Sequence, residues 1–256
     1  MNPSLLLLTD SRLPAGGHAH SGGTERAVAS GAVHDVPSLA AFLDGRLHTT
    51  GTVTAALTAA ACMTAAACGS AAGGESASAC LPTADRVPTA GGGRPWVVLE
   101  AEVDARTASP AQRDASRTQG RLLLRVARRV WPSPVLDDLA RAVPNPHHPI
   151  VLGAAAHVAG ATPEEAAVAA AYHAVSGPAT AAVRLLGLDP VAVHALLADL
   201  APAITAVAAQ ACLAAAGAHP WPDLAPRWEA LPAHSAPALD LLAEQHARAG
   251  VRLFVS

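Results

Sequence analysis

The chain of 256 residues contains no lysine, and all 17 of its basic residues are arginine. This absence excludes chemistry that depends on a lysine amine, such as Schiff-base catalysis or the phosphate contact of a Walker-type loop. The formal net charge is −3 at pH 7. Because binding to phosphates needs a basic excess, this charge argues against nucleic acid as the main partner.

Aromatic residues are also scarce, at 3% of the chain, whereas alanine is the largest component of the 51% hydrophobic fraction. Alanine has the highest helix propensity, and β-branched and aromatic residues are typical of strands. We therefore predict an all-α fold that packs closely through small side chains. Because one domain has about 100–200 residues, the length allows one domain or at most two small ones, and we predict a single compact multi-helix domain over residues 1–256.

The four cysteines include no C-x-x-C pair, so we predict reduced thiols rather than a zinc site or a disulfide framework. The N-terminal segment MNPSLLLLTD lacks a basic region, which is untypical of a signal peptide. The uncharged stretch 52–68 approaches the length of a membrane span. Since alanine and threonine contribute little transfer energy, we expect a buried helix there and a cytoplasmic protein.

Several helix starts carry a recognisable cap. Asp35, Ser109, Thr162 and Asp189 each stand before an N-terminal proline or a capping-box residue. We predict that helices begin after these residues.

Breaks between helices are predicted from glycine and proline. The segment 69–95 is rich in glycine, alanine, serine and proline, which predicts a flexible loop. Gly177 and Pro178 should break or kink the helix that begins after Thr162, and Pro202 should bend the one that begins after Asp189.

Five arginines lie close together on the helix that begins after Ser109: Arg113, Arg117, Arg121, Arg125 and Arg128. The first four recur every four residues, so their guanidinium groups form one stripe. This stripe could clamp an acidic partner or phosphates, or it could be a solvated face paired with Asp114 and its neighbours. Gly120 in the same helix predicts the close approach of another helix.

Two pairs of histidines could ligate a metal. His18 and His20 could face one nickel or copper ion in an extended segment. The alternative is a glycine-flanked turn leading to a helix capped by Ser21. The pair His147 and His148 lies in a proline-rich turn, for which we expect a solvated loop.

The sequence gives no positive signal for an enzyme and predicts no catalytic residue, resident metal or cofactor. Ser21, His20 and Glu25 resemble fragments of a hydrolase triad, but no nucleophile elbow accompanies them. The terminal residues 250–256 are apolar around one arginine. They could dock on the chain's own core or form an interaction tail that orders on binding.

The ordered pattern of motifs resembles the urease accessory protein UreF family. The segment L-P-A-G-G-H-A-H-S-G-G-T-E over 13–25 is similar to the family's N-terminal signature, and R-L-F-V-S over 252–256 is similar to its terminus. The dispersed matches in between are Glu100–Arg106, Arg113, Ser116, Gly120, His147–Gly153, Tyr172, Ser176, Val183, Arg184, Gln245 and His246.

This resemblance implies an all-α accessory protein without catalysis of its own. Members of the family bridge a UreD (UreH) protein and the GTPase UreG, form a homodimer in the complex, and support nickel insertion into the urease apoprotein, with a proposed effect on GTP hydrolysis. The partner-binding residues implied for this chain are His18, His20, Ser21, Glu25, Arg252, Leu253 and Phe254. The alternative is a histidine-rich protein that carries nickel itself.

The chain departs from the family pattern at several positions. His18 replaces an aromatic residue, Ala247 replaces the expected glutamate, and Gly250 also replaces an aromatic residue. The glutamine-rich segment expected after Arg184 is replaced by residues 188–191. Partner contacts at these positions are expected to differ from those of the family.

Overall fold

The computed structural model describes residues 3–10, 12–73, 95–218 and 227–254. These residues form twelve α-helices and no strand, which confirms the all-α prediction. The helices are α1 (Pro3–Thr9), α2 (Thr24–Ala29), α3 (Val36–Arg46), α4 (Thr52–Gly73), α5 (Pro95–Arg106), α6 (Pro110–Val130), α7 (Pro134–Ala142), α8 (His148–Val158), α9 (Pro163–Leu186), α10 (Pro190–Asp199), α11 (Ala201–Ala218) and α12 (Pro237–Ala247). A π-helical segment, Leu47–Gly51, joins α3 to α4.

The core lies around α4, which contacts α8, α9 and α11. Its buried side chains are small, and they include Ala55, Ala56, Ala59, Ala60, Ala61 and Ala65. At Gly153 of α8, an added Cβ atom would lie 2.2 Å from the carbonyl oxygen of Thr58. The backbones of α4 and α8 therefore meet at a distance that only glycine permits, as the alanine-rich composition predicts.

The predicted caps are present. Asp35 and Ser38 form a capping box at the start of α3, and Thr162 forms another with Glu165 at the start of α9. The Ser109 hydroxyl accepts a hydrogen bond from the backbone of α6. Each cap satisfies a backbone N–H group that has no partner within its own helix.

Two predicted boundaries were wrong. Helix α4 continues past Cys68 to Gly73, so residues 69–73 are helical and not part of the predicted loop; residues 74–94, with Cys80, lie outside the described structure. Helices α10 and α11 are separate rather than one bent helix. Pro202 lies in the first turn of α11, where a missing N–H needs no partner.

Pro178 does not break α9, which is continuous from Pro163 to Leu186. A proline cannot donate to the carbonyl oxygen four residues earlier, which here belongs to Ala174. Arg46 compensates, because its Nε donates to that oxygen at 2.8 Å. The helix therefore keeps its geometry through a side chain that is 128 positions away in sequence.

Within the part of the chain that the structure describes, two apolar helical stretches have the length and composition of membrane spans, which alone is weak support for a membrane location. In the first, Val36–Gly69, 72% of the most apolar window is buried inside the protein, which is typical of a core helix. The second is α11, with 33% of its window buried.

Candidate partner-binding site

The C-terminal tail, here defined as residues 250–254, docks on α2 through its backbone. The Glu25 carboxylate accepts hydrogen bonds from the backbone N–H of Leu253 at 2.8 Å and of Phe254 at 3.1 Å. Glu25 lies in the first turn of α2, where the helix dipole favours a negative charge. One carboxylate thus holds two successive amides of the tail.

A second contact comes from His246 of α12. Its Nε2 lies 3.2 Å from the carbonyl oxygen of Phe254, which requires that Nε2 carries the proton. Its Nδ1 lies 3.7 Å from the Glu25 carboxylate. His246 and Phe254 are buried, at 3% and 9% exposure. Sequence analysis assigned no role in the site to His246, because no spacing pattern connects it with residue 254.

The residues between this anchor and α12 remain accessible. Leu253 is 78% exposed and Val251 is 89% exposed, and Arg252 is exposed between them. No described carboxylate lies within ion-pair distance of Arg252, which lines a cavity of about 440 Å³ beside the tail. The backbone of the tail is therefore fixed on the protein and Phe254 is buried, whereas the side chains of Val251, Arg252 and Leu253 are exposed.

The site residues predicted near the N-terminus lie before the start of α2, next to the residue that binds the tail. The Ser21 hydroxyl, fully buried, accepts a hydrogen bond from the backbone N–H of Glu25 at 3.4 Å. The prediction that Ser21 caps this helix was wrong, because α2 begins at Thr24 and its N-cap residue is Gly23. His20 is buried at 7% exposure. The backbone of His18 lies in a 3-10 turn, Gly17–Ala19, but its side chain is outside the described structure.

The structure thus brings five predicted residues together. Ser21 positions Glu25, and Glu25 binds the backbone of Leu253 and Phe254. Arg252 lies next to them, exposed.

No metal centre is formed by the described side chains, since no three histidine, cysteine, aspartate or glutamate residues among them are grouped as metal ligands. His18 is not one of these residues, because its side chain lies outside the described structure.

The expectation of a solvated loop at His147 and His148 was wrong. The His147 side chain is fully buried, and its backbone N–H donates to Glu100 at 2.9 Å while its Nε2 lies 3.1 Å from Asp104. Burial raises the pKa of Glu100 to about 7 and lowers the pKa of His147. Sequence analysis missed this cluster because the two segments are 47 positions apart.

Most arginine side chains of the stripe bind carboxylates or carbonyl oxygens of the same chain. Arg117 donates to both oxygens of Asp104 at 2.7 Å, and Arg128 pairs with Asp137 of α7. The first arginine, Arg113, donates to the carbonyl oxygens that follow α5. The partners come from neighbouring segments rather than from Asp114 as proposed, so the stripe braces α6 against α5 and α7.

Another segment of the chain lies close to Gly120, but it is the segment before α8 and not a helix as predicted. A Cβ atom there would lie 2.0 Å from the carbonyl oxygen of Pro146 and 2.8 Å from the carbonyl carbon of His147. The segment that leads into α8 therefore lies directly on α6.

Comparison with known proteins defines the class of this helical protein. Relatives of nearly the same length are urease accessory proteins. "Urease accessory protein UreF" of Mycolicibacterium vanbaalenii is 41% identical over 253 residues, covering 99% of this chain and 98% of the relative. The protein of the same name from Mycobacterium marinum is 39% identical, covering 98% and 97%, and that from Mycobacterium tuberculosis is 38% identical, also covering 98% and 97%.

The UreF family model matches residues 33–201. With this match and these identities, the chain belongs to the UreF family of urease accessory proteins. The resemblance inferred from the motifs is confirmed, and membership gives the chain a role in urease maturation.

Proposed function

We propose that this chain is a non-catalytic scaffold that bridges a UreD (UreH)-like protein and a UreG-like GTPase, so that nickel is inserted into the urease apoprotein. Modulation of GTP hydrolysis would follow from the way the scaffold holds the GTPase. The chain acts in the cytoplasm as one all-α domain over residues 1–256, and as a homodimer within the complex.

The docked tail is the observation that supports this proposal. Glu25 and His246 bind only backbone atoms of the tail. Leucine and valine side chains held in water have an unfavourable free energy unless a partner covers them. An exposed arginine between them supplies a charge-assisted donor for a carboxylate. This surface fits the UreD-like partner.

The test is size-exclusion chromatography after co-expression with the UreD-like and UreG-like proteins of the same host. The wild-type chain should elute in one peak with both. Leu253→Asn and Arg252→Ala should remove the UreD-like protein from that peak without a change in helical content by circular dichroism, because neither side chain is buried.

The matched control for Leu253→Asn is Leu213→Asn on α11, since Leu213 is 73% exposed and Leu253 is 78% exposed. For Arg252→Ala it is Arg129→Ala, an exposed arginine at the end of α6. Retention of the UreD-like protein by both tail variants would reject the assignment of this surface. Separate elution of the wild-type chain from both partners would reject the scaffold itself.

A further inference from the structure

A cavity of about 720 Å³ lies between α1, α9 and the start of α2, and its volume is in the range of small-molecule sites. Arg12, Arg46 and Arg184 line it, whereas Asp10 is its one carboxylate among the residues that the structure describes. Asp10 already pairs with Arg12 at 2.8 Å. In a chain with a net negative charge, this cavity is therefore cationic.

Arg46 contributes a positive charge to the lining of the cavity. It is partly buried, and its Nε and Nη1 donate to the backbone carbonyl oxygens of Ala174 and Gly22, each at 2.8 Å. No carboxylate among residues 3–10, 12–73, 95–218 and 227–254 lies within ion-pair distance of it. Burial lowers the pKa of Arg46 to about 10, so the guanidinium is still charged at neutral pH.

Two histidines next to Arg46 belong to the polar lining. The rings of His148 and His173 have centroids 6.1 Å apart, and both side chains line the cavity together with Arg46. Burial lowers the pKa of His148 to about 3 and also lowers that of His173, so both are neutral at pH 7. A neutral imidazole offers one N–H donor and one acceptor.

A buried guanidinium without a counter-charge is unfavourable, and a bound anion would remove that penalty. Guanidinium groups match the oxygen atoms of carboxylates and phosphates with two parallel hydrogen bonds. We propose that this cavity is a binding site for an oxyanion, held by Arg46 and Arg184 with an N–H donor from His148, because the N–H of His173 already donates to the backbone of Thr9. The ligand is either a free tetrahedral anion or a carboxylate of a bound peptide, and the site does not depend on the scaffold function.

The first experiment is isothermal titration calorimetry of the full chain with inorganic phosphate at pH 7 and constant ionic strength. We expect saturable binding of one phosphate. Arg184→Gln should weaken it about tenfold, the effect of one charge-assisted hydrogen bond. Arg184 is exposed, so the variant should fold. Arg129→Gln on α6 makes the same charge change away from the cavity and should leave the affinity unchanged.

The same titration with a short acidic peptide with blocked ends distinguishes a free tetrahedral anion from a peptide carboxylate as the ligand. Binding of phosphate assigns a free anion, and saturable binding of the peptide alone assigns a partner's carboxylate. Neither ligand binding saturably, or equal losses in Arg184→Gln and Arg129→Gln, would overturn the proposal.

A second measurement locates the ligand. The titrated ligand should shift the histidine ring signals of His148 and His173 in nuclear magnetic resonance spectra. The ring of His34, which is 66% exposed, should not move. Shifts at His34 without shifts at the cavity histidines would place the anion on the outer surface and overturn the assignment.

Discussion

The carboxylate of Glu25 is expected to determine how firmly the tail is held. Glu25→Gln keeps one carbonyl oxygen as an acceptor but places an amide NH₂ group against the second backbone N–H. One of the two charge-assisted hydrogen bonds, to Leu253 or to Phe254, is therefore lost. A hydrogen bond to a charged group contributes about 1.5–3 kcal/mol, and the partial exposure of this contact favours the lower end. About 1.5 kcal/mol corresponds to roughly tenfold in an equilibrium constant.

The assay is amide hydrogen exchange followed by nuclear magnetic resonance. In Glu25→Gln, the protection of the Leu253 and Phe254 amides should fall about tenfold, while amides in the core of α4 keep their protection. The matched control is Glu164→Gln, because Glu164 lies in the first turn of α9 as Glu25 lies in the first turn of α2. Unchanged exchange at the tail in Glu25→Gln, or an equal increase in Glu164→Gln, would refute the reasoning.

Two further predictions concern stability, measured as the free energy of unfolding in urea. Gly120→Ala should lower it by about 1–3 kcal/mol or more, because the new methyl group would overlap the Pro146 carbonyl oxygen. Gly177→Ala in α9 meets no atom within 4 Å and should raise it by about 0.5–1 kcal/mol; a loss equal to that of Gly120→Ala would contradict the packing argument. The pKa of Glu100 is raised from 4.5 to about 7, so this carboxyl group binds more protons in the folded state in that interval, and its contribution to the free energy of unfolding falls as pH rises from 4.5 to 7. Glu100→Gln keeps the acceptor for His147 and should reduce this fall, which a series of urea titrations across pH would test; an unchanged pH slope would contradict it.

Local signals in the sequence predicted the local structure well. The caps at Asp35 and Thr162 lie where the sequence placed them, because a cap is an interaction between residues three positions apart. The all-α fold followed from alanine content for a similar reason, since helix propensity is a property of each residue.

Long-range contacts could not be predicted in this way. The continuity of α9 through Pro178 depends on Arg46, and the burial of His147 depends on Glu100. The residues adjacent to these positions in the sequence give no indication of such a contact.

The same limit applies to the tail. Its composition left two alternatives, docking on the chain's own core and an interaction tail that orders on binding, and the contact that docks it here joins Glu25 to Leu253 across 228 positions. The motif resemblance placed both ends of the chain in one functional site, but the hydrogen bonds that join them required the structure.

The contact between Arg46 and Ala174 makes the roles of two distant positions interdependent. With alanine at position 178, α9 would supply its own N–H to the Ala174 carbonyl oxygen, and this function of Arg46 would become redundant. Substitutions at 46 and 178 should therefore be non-additive, with the loss of the arginine tolerated better after the proline has gone. Loss of the arginine would then cost less stability after the proline has been replaced than before it. The order of the two substitutions would therefore determine whether the intermediate sequence keeps a stable fold.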